Sequence, residues 1–158
     1  MQAALNAYQP DLTPTPTPPE ANLNILVAGG TGTDPSGGGA DVLVVPFNQA
    51  PVLSIGNYVT QNPTTLTQFD INSSGIYQIN FQLAVYNSDG TGPEVLAELT
   101  SANLGIIDTL NLFQNHVVAQ DSFTISLQAG DVISLVLRSI GQSVFNVNSQ
   151  VITFMKVG

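Results

Sequence analysis

One stretch of the sequence decides the fold, and it reads Phe69-Asp70-Ile71-Asn72-Ser73-Ser74-Gly75-Ile76-Tyr77-Gln78-Ile79-Asn80-Phe81. From its second half onward, every second residue is large and apolar: Tyr77, Ile79, Phe81, Leu83 and Val85. Period-two alternation places one side of a strand in a core and the other side in water. The stretch therefore predicts a long strand of an antiparallel sheet with one buried face.

The same alternation returns along the rest of the chain, at residues 122–127 and 133–138. Short apolar runs at 24–28 and 42–47 are separated by a glycine-rich segment, residues 29–39, which we expect to be a loop. Many short strands with turn residues between them, and no helical pattern, are typical of a sandwich or barrel. We predict an all-β antiparallel sandwich of about ten strands over residues 23–158.

Residues 1–22 have a different composition and are predicted to form an extended N-terminal arm. Its first twelve residues include Leu5, Tyr8 and Leu12, which could dock on another surface. Residues 13–19 alternate threonine and proline, which favours polyproline II and gives a stiff spacer of about 20 Å. The alternative interpretation of this segment is a disordered tail.

Charge excludes two classes of partner. The 158 residues contain eleven acidic and two basic residues, which gives a net charge of −9, and only 8% of the chain is charged. With Arg138 and Lys156 as its cations, the chain cannot neutralise a row of phosphates, so we expect no binding to nucleic acid or to anionic membranes.

Composition also indicates where the protein works. The absence of cysteine excludes disulfides and thiolate chemistry. A surface covered by Ser, Thr, Asn and Gln is common in extracellular coats and fibres, and the first residues do not have the pattern of a secretory signal peptide. We expect a protein of the cell or spore surface that is made without a signal peptide.

Two motifs resemble the C1q/TNF-like jelly roll. Residues 69–81 have the spacing F-x-I-x-x-x-G-x-Y-x-I-x-F, which is similar to the family's central signature. Residues 127–135 read L-x-x-G-D-x-I-x-L, similar to a hairpin of that family, and the final strand at 149–155 ends the chain as in the family. The resemblance covers residues 23–157 and is strongest to the collagen-like glycoproteins of the bacterial exosporium. Because an N-terminal arm replaces the collagen stalk, the architecture also resembles subunits of spore-appendage fibres.

The resemblance implies a homotrimer. Several aromatic residues are candidates for trimer or core packing: Tyr77, Phe81, Phe113, Phe123 and Phe154. The trimers would then be joined head to tail through the arm, with a spore-surface anchoring protein as a further partner.

No constellation of residues predicts catalysis. His116, the only histidine, has no G-x-S-x-G serine near it, and we expect it to lie in a loop. Glu94 and Glu98 could act as paired carboxylates, but the chain has no tryptophan for sugar stacking. Segments 34–41 and 87–92 offer oxygen ligands for calcium, yet ordinary turns explain both. We predict neither an enzyme nor a cofactor or metal site.

Two functions follow from these observations. The first is a self-assembling structural subunit of a spore surface, in which the arm joins trimers into a fibre or layer. The alternative is a trimeric binding or adhesion head that recognises a receptor, a glycan or a surface.

Overall fold

The computed structural model describes residues 24–33, 42–87, 95–112, 116–139 and 145–158. At 31–33, 86–87, 116–117, 139 and 145–146 only the backbone is described. This part of the chain forms eleven strands: β1 Asn24–Thr33, β2 Val42–Val44, β3 Leu53–Ile55, β4 Val59–Gln61, β5 Phe69–Ile71, β6 Gly75–Asn87, β7 Val95–Ser101, β8 Gly105–Leu112, β9 His116–Leu127, β10 Val132–Ser139 and β11 Phe145–Lys156.

The strands form two antiparallel sheets. The five-stranded sheet has the order β3-β1-β11-β6-β9, and the six-stranded sheet has the order β4-β5-β10-β7-β8, with β2 also paired to β10. The predicted antiparallel sandwich is thereby confirmed. No helix in the described ranges has the length and hydropathy that a membrane crossing requires.

The core lies between the two sheets and is built by the alternation seen in the sequence. On β6, Tyr77, Ile79 and Leu83 are fully buried. At the centre, the ring of Phe69 lies 5.2 Å from that of Phe47 and 4.9 Å from that of Phe154, measured between ring centroids. Packed aromatic pairs stabilise such a core beyond the burial of their area.

Packing explains why the central motif has a glycine at position 75. Gly75 begins β6, and a Cβ atom at this position would collide with the carbonyl oxygen of Gly158 and with Cε of Lys156. The backbone of Ile76 also exchanges hydrogen bonds with the chain end, through Val157 N–H and Gly158 C=O, both at 2.8 Å. The long central strand can therefore begin here only because the residue has no side chain.

Two expectations from the sequence are wrong. Strand β1 continues through the glycines at 29 and 30 to Thr33, although a loop was expected from Gly29 onward. The backbone of Gly30 pairs with Gln150 of β11, and the side chains of Gln150 and Asn48 occupy the space that a Cβ at this position would need. His116 was expected in a loop, but its backbone is the first residue of β9, paired with Tyr86 of β6.

The second family-like motif also differs from expectation. Residues 128–131 were expected to close a hairpin, but the strands on either side, β9 and β10, belong to different sheets. The link therefore crosses from one layer of the sandwich to the other. Gly130 adopts a φ of 95°, which glycine tolerates, and the buried Asp131 carboxylate accepts hydrogen bonds from Gln128 N–H and Asn103 Nδ2.

Candidate assembly interface

The outer face of the five-stranded sheet carries no charge among its described side chains. Register and alternation place these residues on it: Ile25, Val27, Leu53, Ile55, Ile76, Gln78, Asn80, Gln82, Ala84, Val118, Gln120, Ser122, Thr124, Ser126, Ser149, Val151, Thr153 and Met155. We call this surface the charge-free face. In a chain with a net charge of −9, the acidic side chains that the structure describes thus point away from this surface.

One half of the charge-free face is apolar. The register aligns Ile55, Ile25 and Met155 in one row across β3, β1 and β11, and Leu53 lies beside Val27 in the next row. Leu53 and Ile55 are exposed, although aliphatic side chains of this size are usually buried in a monomer. A continuous apolar area of this kind marks a contact surface.

The other half is polar but uncharged. On β6 and β9, Gln82 lies opposite Gln120, and Asn80 lies opposite Ser122. These side chains line a recess of about 450 Å³, together with Val151 and Thr153 of β11. Phe81 and Asp121 also border it, but the alternation along β6 and β9 directs their side chains toward the other sheet. Amide and hydroxyl groups can form hydrogen bonds across an interface without the desolvation cost of burying an ion.

The opposite surface of the sandwich differs, because it carries ions. On the outer face of the six-stranded sheet, Glu98 and Arg138 form an ion pair with an N–O distance of 3.3 Å. The Glu98 side chain is buried, while that of Arg138 remains 45% exposed. The asymmetry in charge therefore distinguishes the two sheets and points to the five-stranded sheet as the contact surface.

A groove of about 420 Å³ lies at one seam of the sandwich, where the edge strands β3 and β4 approach each other. Its lining is mainly apolar and includes Leu26, Pro51, Val59 and Leu66. Leu66 has a φ of 56°, and its carbonyl oxygen is held by the N–H of Phe47 at 2.7 Å. The groove is thus a preformed apolar site beside β3, which among the described strands pairs only with β1.

At the other seam, two carboxyl groups meet. Asp108 of β8 and Asp121 of β9 are hydrogen-bonded to each other, although they belong to different sheets. Burial is the main cause that raises the pKa of Asp108, and the hydrogen bond to Asp121 raises it further. A hydrogen bond from the backbone of Thr109 acts in the opposite direction.

Most of the aromatic residues predicted for trimer or core packing lie inside. Tyr77, Phe81 and Phe154 are buried in the core, and Phe123 is partly buried against it. Burial raises the pKa of Tyr77, whose hydroxyl donates to the carbonyl oxygen of Ser73, and the nearby Tyr58 adds to the shift. Phe113 lies outside the described residues.

Sequence reasoning missed the residues of the charge-free face. The residues of this face alternate with the core residues along β6, β9 and β11. The sequence feature that could have revealed them is that no charged residue occurs at these alternate positions. The arm residues Leu5, Tyr8 and Leu12 lie outside the described residues, as does Glu94.

The candidate metal and catalytic groups were compared with the described side chains. The described residues contain no group of three or more His, Asp or Glu side chains that could hold a metal ion. Glu98 is engaged with Arg138, and Glu94, its proposed partner, lies outside the described ranges.

No protein-family model and no curated protein sequence matches the chain. Solved structures do match it. Murine APRIL at pH 8.0 is 16% identical, with 85% of this chain and 100% of that chain covered and a TM-score of 0.64. The globular domain of zebrafish complement 1qA is 12% identical, covering 86% and 98% of the two chains with a TM-score of 0.60.

The vertex protein P5 of PRD1 is 18% identical, with 85% of this chain and 97% of that chain covered and a TM-score of 0.56. These identities are too low to carry function, but the agreement over nearly the whole length of each chain establishes the fold. The protein is a two-sheet antiparallel sandwich with the C1q/TNF-like jelly-roll fold.

Proposed function

We propose that the protein is a structural, self-assembling subunit of a bacterial spore surface. In this proposal the jelly roll forms a homotrimer, and the arm, residues 1–22, joins trimers into a fibre or layer. The charge-free face is the observation that carries the proposal. Domains with the C1q/TNF-like fold are typically trimeric and usually not catalytic, which supports it.

The charge-free face suits a ring of three copies. In a cyclic trimer, one patch of each copy contacts a different patch of the next copy. The face offers two such patches side by side, the apolar half around Ile55 and Val27 and the amide-rich half around Gln82 and Gln120. Burial of the apolar half drives association, and the uncharged polar half adds hydrogen bonds that fix the register.

Electrostatics explains why the face must be free of charge. Each copy has a net charge of −9, so a trimer carries −27 and its copies repel one another. An unpaired carboxylate at the contact would add a desolvation cost to that repulsion. Placing the ions on the opposite sheet, as with Glu98 and Arg138, leaves the contact to apolar and neutral groups.

The arm provides the second contact. Leu5, Tyr8 and Leu12 are the apolar side chains that a docking peptide would bury, and the spacer at 13–19 gives them a reach of about 20 Å. The groove between β3 and β4 supports this role, because it is apolar and lies beside an edge strand. An arm from a neighbouring trimer could add hydrogen bonds along β3 while its side chains fill the groove.

The location at a spore surface rests on sequence. The resemblance of residues 69–81 and 127–135 to exosporium proteins, together with the cysteine-free and Thr/Asn/Gln-rich composition, supports it. A protein that anchors the assembly to the spore is part of the same proposal. Immunogold labelling of spores tests it, and label restricted to the cytoplasm would contradict it.

Electron microscopy of a truncated chain tests the role of the arm. Deletion of residues 1–19 should leave soluble trimers and abolish fibres. A matched variant of full length, with Leu5, Tyr8 and Leu12 all replaced by serine, separates the loss of docking side chains from the loss of length. Fibres of unchanged morphology in both variants would overturn the proposed role of the arm.

The same images address the alternative function. If the protein is a binding or adhesion head, the wild-type chain should appear as discrete trimers without higher assembly. Fibres or sheets of trimers in the wild type, lost in the serine variant, support the structural subunit.

A further inference from the structure

The seam between β8 and β9 contains a second arrangement, which does not depend on the assembly proposal. β8 is the last strand of the six-stranded sheet and β9 is the last strand of the five-stranded sheet, so this seam closes one side of the sandwich. Asp108 and Asp121 meet across it. Two carboxyl groups are an unusual choice where two layers must be held together, because like charges repel.

The hydrogen bonding at the seam requires a proton. Oδ2 of Asp108 is buried and receives no hydrogen bond from any donor among the described residues. Its partner across the seam is itself a carboxyl group, and two carboxylate oxygens cannot bond unless one of them is protonated. Burial of Oδ2 disfavours a charge on Asp108 and raises the pKa of its carboxyl. The shared proton therefore belongs on Asp108.

No cationic side chain that the structure describes lies close enough to relieve the repulsion between Asp108 and Asp121. From β7, packed against β8, Glu98 lies on the outer face and is engaged with Arg138. From β6, packed against β9, the residue opposite Asp121 is Phe81, and Tyr77 lies farther along the strand.

The remaining described cation is also engaged elsewhere. Lys156, on β11, donates to Oγ of Ser73 and lies over the ring of Tyr58. Asp121 is the charged group that acts on Asp108. His116 begins β9, and its side chain lies outside the described part.

We propose that Asp108 and Asp121 form a proton-dependent latch, which holds β8 and β9 together while one proton is shared and loosens this seam when both groups are ionised. In the closed state the carboxyl of Asp108 donates to the carboxylate of Asp121. In the ionised state both oxygens lose their only bond to each other and repel, and water must enter to solvate Oδ2 of Asp108.

The sign of the pH dependence follows from the raised pKa of Asp108. Its contribution to stability is fully present below the pKa of an unfolded aspartate. That contribution is lost as the pH rises through the higher value in the folded protein. The latch is thus closed in acidic solution, below the pKa of an unfolded aspartate, and it loosens as the pH rises above that value.

Hydrogen–deuterium exchange of the full-length protein, read by mass spectrometry between pH 3 and pH 8, tests the latch. In the wild type, the protection factors of peptides from β8 and β9 should fall as the pH rises. The fall should be about tenfold for each unit by which the pKa is raised. Protection in β10, away from the seam, should change less.

Three variants complete the test. Asp108→Asn and Asp121→Asn each place an amide donor where the shared proton was, and each should keep β8 and β9 protected at pH 8. Asp70→Asn, on β5, removes the same charge away from the seam and should behave like the wild type. The proposal is overturned if both seam variants lose protection with pH as the wild type does. It is also overturned if both variants fail to fold. If ionisation is what weakens the contact between β8 and β9, a neutral amide in place of either carboxyl should be tolerated.

Discussion

Substitution of lysine for Val151 should break the trimer. Val151 lies on β11 near the middle of the charge-free face and is 41% exposed in the single chain. Full burial of a valine contributes about 1.5–3 kcal/mol, so covering the exposed part contributes about 1 kcal/mol per copy. A lysine there would lose that contribution and would leave an unpaired ammonium at a contact with no described carboxylate on the same face.

The size of the effect follows from the number of contacts. An uncompensated buried charge costs about 3–5 kcal/mol, and partial escape of the long side chain to water reduces this to about 2 kcal/mol. With the lost burial of valine, each contact is weakened by about 3 kcal/mol. Because a trimer has three equivalent contacts, its free energy of association should become less favourable by about 9 kcal/mol. At 1.4 kcal/mol per factor of ten, the association constant of the trimer should fall by about six orders of magnitude.

A matched control is available on the other sheet. Val44, on β2, is 40% exposed, nearly the same as Val151, and its strand pairs with β10. Val44→Lys makes the same change of side chain and lowers the net negative charge by the same amount. General repulsion between copies therefore weakens equally in both variants, and only the position of the charge differs.

Sedimentation velocity on chains lacking residues 1–19 provides the assay, with circular dichroism to verify folding. The wild type and Val44→Lys should sediment as trimers, with about three times the mass of one truncated chain, and Val151→Lys as a folded monomer. A folded Val151→Lys trimer as stable as the wild type would refute the assignment of the interface to the charge-free face.

Three further predictions concern the fold and are measured by urea denaturation of the same truncated chain. Phe69→Ala, at the centre of the aromatic core, should lower the free energy of unfolding by about 3–5 kcal/mol. Gly75→Ala should cost about 1–3 kcal/mol, because the new Cβ displaces Lys156, and an unchanged midpoint would contradict that packing. Arg138→Met should cost about 1–3 kcal/mol because it leaves the buried Glu98 carboxylate without a cation. Glu98→Gln, added to Arg138→Met, should restore part of that loss, and no recovery would show that packing of the Arg138 stem dominates.

The central strand and the core could be predicted because they depend on local pattern. The alternation from Tyr77 to Val85 determines which side of β6 is buried, and it required no knowledge of the partner strands. The need for glycine at position 75 was also visible as a motif. The reason for this glycine is that Lys156 and the chain end lie close to position 75, and these residues are far away in sequence.

Other features depend on which strands become neighbours, and a single sequence does not reveal this. The link at 128–131 has the composition of a hairpin turn, yet it crosses between sheets because β9 pairs with β6 and β10 pairs with β7. Gly30 continues strand β1 because its backbone pairs with Gln150 of β11, which is far away in sequence.

The two candidate sites illustrate the same limit. Asp108 and Asp121 each lie on an exposed edge strand and would both be taken for surface residues. Their meeting becomes evident only when the two sheets are stacked. The charge-free face likewise requires the register of five strands.

Electron cryomicroscopy of the full-length wild-type protein tests the central claim most directly. The account predicts a head with three-fold symmetry in which Val151 and Ile55 of each copy lie against the next copy, while the outer face of the six-stranded sheet, with Arg138, faces solvent. A reconstruction in which the copies meet through the six-stranded sheet, or in which the head is a single copy, would contradict it.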